Sequence, residues 1–158
     1  MAGELFKALS GTNIQHVPHK ASGEARSSVL GGHVQMMFDA ITTMAPSVQA
    51  GQVRAIGTSG EKRSKIMPDV PTIAEAGVPG YESTIWLGIM APKGTPKEVV
   101  DKLNAAMNAM MKQPALQEAW AKQGAVPMIM SPAEFETLLR KDIEKWAAVV
   151  KTANIKAQ

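Results

Sequence analysis

The sequence predicts an α/β fold: a parallel-rich sheet with flanking helices, followed by a largely helical C-terminal part. Three observations carry this. Short β-branched runs alternate with short helical ones over residues 1–60. Proline and glycine then interrupt regular structure repeatedly up to residue 80. Beyond the strand-like run 81–90, apolar residues recur at spacings of three and four behind helix-start signals. A strand–helix–strand–helix–strand order implies parallel pairing through right-handed crossovers.

Residues 14–17 are β-branched and end at Pro18. A short helix over 23–30 is stopped by Gly31-Gly32. Residues 34–38 read as a buried strand ending at Asp39, and 43–50 as a helix with Pro46 in its first turn. A third strand follows over 53–56. In the connector, Thr72-Ile73-Ala74-Glu75 is a capping box, with Gly77 as the matching stop for a one-and-a-half-turn helix. Thr95-Pro96-Lys97-Glu98 is a second capping box, opening a helix with the stripe Val99, Val100, Leu103, Met107, Met110 and Met111. Pro114 ends it and starts another helix, running to Gly124. Ser131-Pro132-Ala133-Glu134 is a third box. Behind it Phe135, Leu138, Leu139, Ile143, Trp146, Ala147 and Val150 form a long stripe. The methionines on these stripes read as core filler, because flexible thioethers fill gaps. The change of character near Tyr81 divides the chain into 1–80 and 81–158.

Composition narrows the function classes. With 158 residues, 45% hydrophobic and 20% charged, the chain is that of an ordinary globular protein rather than a disordered one. The lack of cysteine excludes disulfides, thiolate metal sites and cysteine nucleophiles. A net charge of +3, spread singly, with three Phe, three Trp and one Tyr, leaves little for nucleic acid to stack on or be steered by. No apolar run approaches the roughly 20 residues that span a bilayer. The opening Met1-Ala2-Gly3-Glu4-Leu5-Phe6-Lys7 lacks the basic-then-apolar order of a secretion signal.

Catalytic motifs are missing: there is no G-x-S-x-G elbow, H-E-x-x-H, S-x-x-K or phosphate loop. His16 and His19 on a proline-ended strand point to opposite faces, so no metal or other cofactor is expected. Two places remain. The loop His19-Lys20-Ala21-Ser22-Gly23 precedes a helix, where small residues let an anion approach free N–H groups; it is equally an ordinary strand–helix connection. Asp39 ends an apolar strand, where ligands of parallel sheets sit; it serves equally as a cap for the next helix.

His16-Val17-Pro18-His19-Lys20 and Leu30-Gly31-Gly32-His33-Val34-Gln35-Met36-Met37-Phe38-Asp39 resemble the Bug family of periplasmic solute receptors. These serve tripartite tricarboxylate transporters. The resemblance continues through Arg63, Pro68-Asp69-Val70-Pro71-Thr72-Ile73-Ala74-Glu75-Ala76-Gly77, Pro79-Gly80-Tyr81, Trp86-Leu87-Gly88 and Ala91-Pro92-Lys93-Gly94-Thr95-Pro96. It closes at Lys145-Trp146, Val150-Lys151 and Ala153-Asn154-Ile155.

The resemblance implies two α/β lobes around a cleft, as in type II periplasmic binding proteins, with a signal peptide and a glycine-rich ligand loop in a chain about twice this long. By that pattern this chain is the C-terminal half: 1–80 would be the lobe-two segment, 81–158 the strand and helices returning to lobe one. The implied function is capture of a small organic carboxylate for a membrane permease, without chemistry, and the implied location is the periplasm. The Ala21-Ser22 loop would supply amides to a carboxylate, Asp39 would select at the ligand's far end, and Trp86 would wall the pocket near the hinge. Members usually have tyrosine where this chain has His19, and glycine where it has Ala21. A half-receptor is also expected to self-associate through uncovered stripes. The competing readings are a small α/β enzyme or regulatory domain, and a truncated receptor without function.

Overall fold

Six α-helices form among the described residues: α1 (Ala2–Ser10), α2 (Ser22–Leu30), α3 (Ile41–Gln49), α4 (Lys97–Met111), α5 (Pro114–Lys122) and α6 (Pro132–Thr152). The computed structural model describes residues 1–153 and 155, so the motif residue Asn154 lies outside them. Helix punctuation follows the sequence closely at α6. The Ser131 hydroxyl accepts from the Glu134 N–H at 3.3 Å, the Glu134 carboxylate accepts from the Ser131 N–H at 2.7 Å, and Pro132 stands at the first helical position. The box at Thr72 also forms, with Thr72 N–H donating to Glu75 at 2.8 Å and Glu75 N–H to the Thr72 hydroxyl at 3.1 Å. It closes a turn rather than a helix, and Gly77 ends it at φ 115°.

The box expected at Thr95 does not form. Pro96 is the cap residue of α4, and the Thr95 hydroxyl donates instead to the Pro92 carbonyl at 2.9 Å. The Thr95 N–H, which Glu98 would accept in that box, donates to the Pro92 carbonyl at 3.2 Å, so the reciprocal half is not made either.

The parallel sheet is the larger correction. The segments expected as strands, 14–17, 34–38, 53–56 and 81–90, form no ladder among the described residues. The pairing present is one parallel bridge between Thr58 and Thr72. Around it, Thr58 N–H donates to the Pro71 carbonyl, Ile73 N–H to the Thr58 carbonyl and Ser83 N–H to the Ser59 carbonyl, at 2.9, 2.9 and 2.8 Å. Three stretches therefore meet side by side at one point. An extended segment becomes a strand only when another lies about 4.8 Å away in register, and most of each segment here has no such neighbour.

Two clusters hold the molecule together. In the first, Phe6 of α1, Phe38 and Tyr81 pack mutually, with ring centroids 5.9, 6.0 and 6.2 Å apart. Tyr81 is 2% exposed, and its hydroxyl donates to the Ala2 carbonyl at 3.2 Å. In the second, residues 82–88 lie against α6. The Trp86 ring meets Phe135 edge-on at 5.4 Å, and its indole N–H donates to Asp142 at 2.9 Å. Lys145 donates to the Glu82 carbonyl at 2.7 Å and pairs with the Glu82 carboxylate. Burial alone would raise the Glu82 carboxyl, but Lys145 and the Thr84 hydroxyl and N–H hold it below its ordinary value.

The packed face of α6 thus includes Asp142, Lys145 and Val149, while Ile143 of the expected stripe points outward. On α4, Asn104 and Asn108 each donate to the Met130 carbonyl at 2.9 Å, whereas Val99, Leu103 and Met110 are exposed.

Most of 85–90 is uncovered. Trp86 packs inward, while Ile85, Leu87, Ile89 and Met90 are 69%, 97%, 72% and 63% exposed. Contiguous apolar surface of this kind drives association. The isolated chain is expected to sediment as a concentration-dependent oligomer, and Leu87→Lys with Ile89→Lys to shift it toward monomer. A monodisperse wild-type monomer across the micromolar range would contradict this.

Candidate carboxylate-binding loop at the start of helix α2

The loop before α2 is built by short-range bonding. Ala21 is the cap residue in extended backbone, φ −149° and ψ 154°, and no side chain caps the helix. Its carbonyl accepts from Glu24 and Ala25 N–H at 3.1 and 3.2 Å. Glu24 reaches back to accept from Lys20 N–H at 3.1 Å. Among the described residues the Ser22 and Gly23 N–H groups donate to no protein acceptor. These are the orphan donors of a helix start, where the dipole favours an anion.

His19 braces this loop from outside. Its Nδ1 lies 3.0 Å from the Val17 carbonyl, which can only accept, so Nδ1 carries a proton. Its Nε2 lies 3.0 Å from the Ser28 hydroxyl, tying the loop to the last turn of α2. A larger phenol would not make this pair of contacts.

Asp39 lies beside α2 and ahead of α3. Its Oδ1 accepts from the Ala40 N–H at 2.9 Å; the Thr43 hydroxyl lies 3.2 Å from Oδ2 but has its shorter bond, 2.8 Å, to the Ala40 carbonyl. Arg26 of α2 donates to Oδ2 from Nη2 at 3.1 Å and from Nε at 3.4 Å. The carboxylate is 12% exposed and Arg26 30%. Asp39 is therefore neither a free carboxylate nor the cap residue, which is Ala40. Arg26 is the member of this cluster that sequence reasoning missed. The available signal was weak: it is the one basic residue within 23–30, which the pattern placed beside the strand ending at Asp39.

The structure thus brings Ala21, Ser22 and His19 together on α2, with Asp39 joined to them through Arg26. Trp86 sits with a different neighbourhood, held by Phe135 and Asp142 of α6. An open depression of about 470 Å³ lies elsewhere, lined by Arg54, Ala55, Ile56, Asp69, Val70 and Pro71. Among the described residues no cluster of His, Asp and Glu is placed to hold a metal ion, and no helix is long and apolar enough to cross a membrane.

The start of α2 thus presents two backbone N–H groups without a protein acceptor, on the helix whose Arg26 holds Asp39. Residues 1–155 match the tripartite tricarboxylate transporter family receptor, and the chain belongs to that family, whose members are receptors and not enzymes. It is similar to BugT of Bordetella pertussis, 35% identical over 153 residues, and to the UPF0065 protein in the tcbD-tcbE intergenic region of a Pseudomonas species, 36% identical over 151 residues. Those matches cover 97% and 95% of this chain but 47% and 45% of the relatives, so the chain spans about half their length. A Pseudomonas knackmussii relative, 31% identical over 151 residues, is matched over 95% of this chain and 89% of its own.

Among solved structures, R. palustris Rpa4515 with adipate is matched with a TM-score of 0.88 at 35% identity, over 98% of this chain and 52% of that one. MatC from Rhodopseudomonas palustris with bound malate is matched at 0.82 and 32% identity, over 94% and 52%. The fold family is therefore that of these binding proteins, although the sheet expected here is represented by a single bridge.

Proposed function

We propose that this chain forms one wall of a receptor that captures a small carboxylate for a tripartite transporter of the periplasm. The observation that carries the reading is the uncapped start of α2, with Ser22 and Gly23 N–H groups unused, in a chain whose structural relatives were solved with adipate and malate. One ligand carboxylate sits on those amides; Ala21, at the cap, sets how closely it approaches. Residues 1–80 act as one lobe, and 81–158, with Trp86 at the crossing, lead into the other. The opposite wall belongs to the half of the relatives that this chain does not span. Ligand bridging both walls stabilises a closed form, which is what a permease would recognise.

One wall alone binds weakly. Losing about 3 kcal/mol of contacts costs more than a hundredfold in affinity, so this chain should bind in the millimolar range. Titration of the isotope-labelled chain with malate or adipate, followed by amide resonances, tests this. Saturable shifts at Ser22 and Gly23 are expected. Their absence, or shifts confined to residues remote from α2, would overturn the reading.

A further inference from the structure

We infer that the open depression beside the Thr58–Thr72 bridge is a second binding site, separate from the α2 start, and that it takes a zwitterion with an apolar side chain, of the α-amino-acid class. The cavity exists because pairing stops short. Thr58 N–H donates to the Pro71 carbonyl and Ile73 N–H to the Thr58 carbonyl, both at 2.9 Å, which is one complete step of a parallel ladder. The next step would need an N–H on Pro71 to reach the Ile56 carbonyl, and proline has none. Residues 67–70 instead fold back on themselves, with Val70 N–H donating to the Met67 carbonyl at 3.1 Å. The two segments part there, and residues 54–56 and 69–71 line a space of about 470 Å³, within the range of small-molecule sites.

The lining offers three kinds of partner. Arg54 and Asp69 carry opposite charges, and among the described residues neither bonds to any protein group, nor do they pair with each other. The Ile56 N–H and carbonyl are likewise unused. Ala55, Ile56, Val70 and Pro71 supply apolar surface, and Ile56 is left 73% exposed. A ligand carboxylate suits Arg54, and an ammonium suits Asp69 and the Ile56 carbonyl. An aliphatic side chain would cover Ile56 and Val70, which favours burial by its area. A molecule with one charge satisfies half of this set. Malate, the probe for the α2 start, would bring a second negative charge toward Asp69 and is disfavoured here.

L-Leucine is the probe. Its controls are isocaproate, which lacks the ammonium, and isoamylamine, which lacks the carboxylate. The isotope-labelled chain is titrated with each, and the Ala55, Ile56 and Val70 amide resonances are followed. Both charged side chains are exposed, so binding in the millimolar range is expected. Each control should bind at least about tenfold more weakly than leucine, the effect of one close charge contact. Arg54→Met should bring leucine down to the level of isoamylamine, and Asp69→Asn to that of isocaproate. Neither side chain bonds elsewhere, so both variants should keep the fold, which their circular dichroism checks.

No saturable shift of these amides with leucine, or equal affinities for leucine and its two controls, would overturn the inference. So would variants that bind leucine as the wild type does. The carboxylate reading is judged on Ser22 and Gly23 with malate, so either site can fail while the other stands.

Discussion

Replacing Tyr81 with alanine is expected to lower the stability of the chain by about 3–5 kcal/mol, the range for truncating a buried aromatic. Among the described residues Tyr81 is the most buried large side chain, and it is the meeting point of Phe6 and Phe38. The same ring holds α1 through Phe6 and through the bond to the Ala2 carbonyl, and both contacts are lost with it. A domain of this size has a total stability of only about 5–15 kcal/mol, so the variant should be largely unfolded or have α1 detached. Urea unfolding followed by circular dichroism measures it. Tyr81→Phe, which keeps the ring and loses one hydrogen bond, should cost only about 1 kcal/mol.

The same residue makes a pH forecast. Burial pushes the Tyr81 hydroxyl up from 10 to about 12, with the Glu82 charge adding to the shift and Ser83 opposing it. Between those pH values the unfolded chain releases the proton while the folded chain retains it. Stability from this residue is therefore complete below pH 10 and lost as pH rises through 12. Tyr81→Phe should flatten that alkaline loss. An alanine variant as stable as wild type would show that the aromatic cluster does not hold α1.

Gly88→Ala is expected to destabilise by about 1–3 kcal/mol, a large effect for one methyl group. A Cβ at this position would lie 2.4 Å from Cζ of Phe135 and 3.0 Å from its Cε2. That ring cannot simply step aside, because Trp86 packs edge-on against it at 5.4 Å. The methyl must therefore lift residues 82–88 from α6, loosening the Trp86 bond to Asp142 and the Glu82 contact with Lys145. The measurement is again urea unfolding, with indole fluorescence reporting on Trp86. Combining Gly88→Ala with Phe135→Leu should recover part of the loss, since the shorter side chain vacates the space. A neutral Gly88→Ala would mean that the segment does not lie against Phe135.

Local chemistry made much of this protein legible in advance. Capping depends on neighbours within one turn, so Ser131 with Glu134 and Thr72 with Glu75 could be read directly, as could the stop at Gly77. Thr95 failed for an equally local reason: the cap fell one residue later, and Thr95 bonds back to the Pro92 carbonyl through both its hydroxyl and its N–H. Ordered motifs along the whole length placed the chain in its family, which the match over residues 1–155 shows. The loop before α2 was legible as an anion-binding candidate because small residues ahead of a helix leave amides exposed whatever surrounds them.

Pairing across the chain was not legible. Apolar, β-branched residues make 81–90 extended, but a ladder needs a second segment at the right distance, and sequence pattern says nothing of whether one is there. Periodicity chose Ile143 for the packed face of α6, whereas Asp142 and Lys145 turn inward because Trp86 and Glu82 offer them partners. Asp39 is the clearest case. Its residue type and its place at the end of an apolar run were evident from the sequence, and so was the choice between a cleft and a cap. That its charge is taken by an arginine thirteen positions earlier depends on how α2 lies against the start of α3, which is a property of packing. The sequence by itself determined the family and the capping bonds at Ser131 and Thr72, both set by short-range bonding and composition. Only the tertiary structure decided which charges are free and which faces are covered, because both depend on partners that the chain brings together from distant positions.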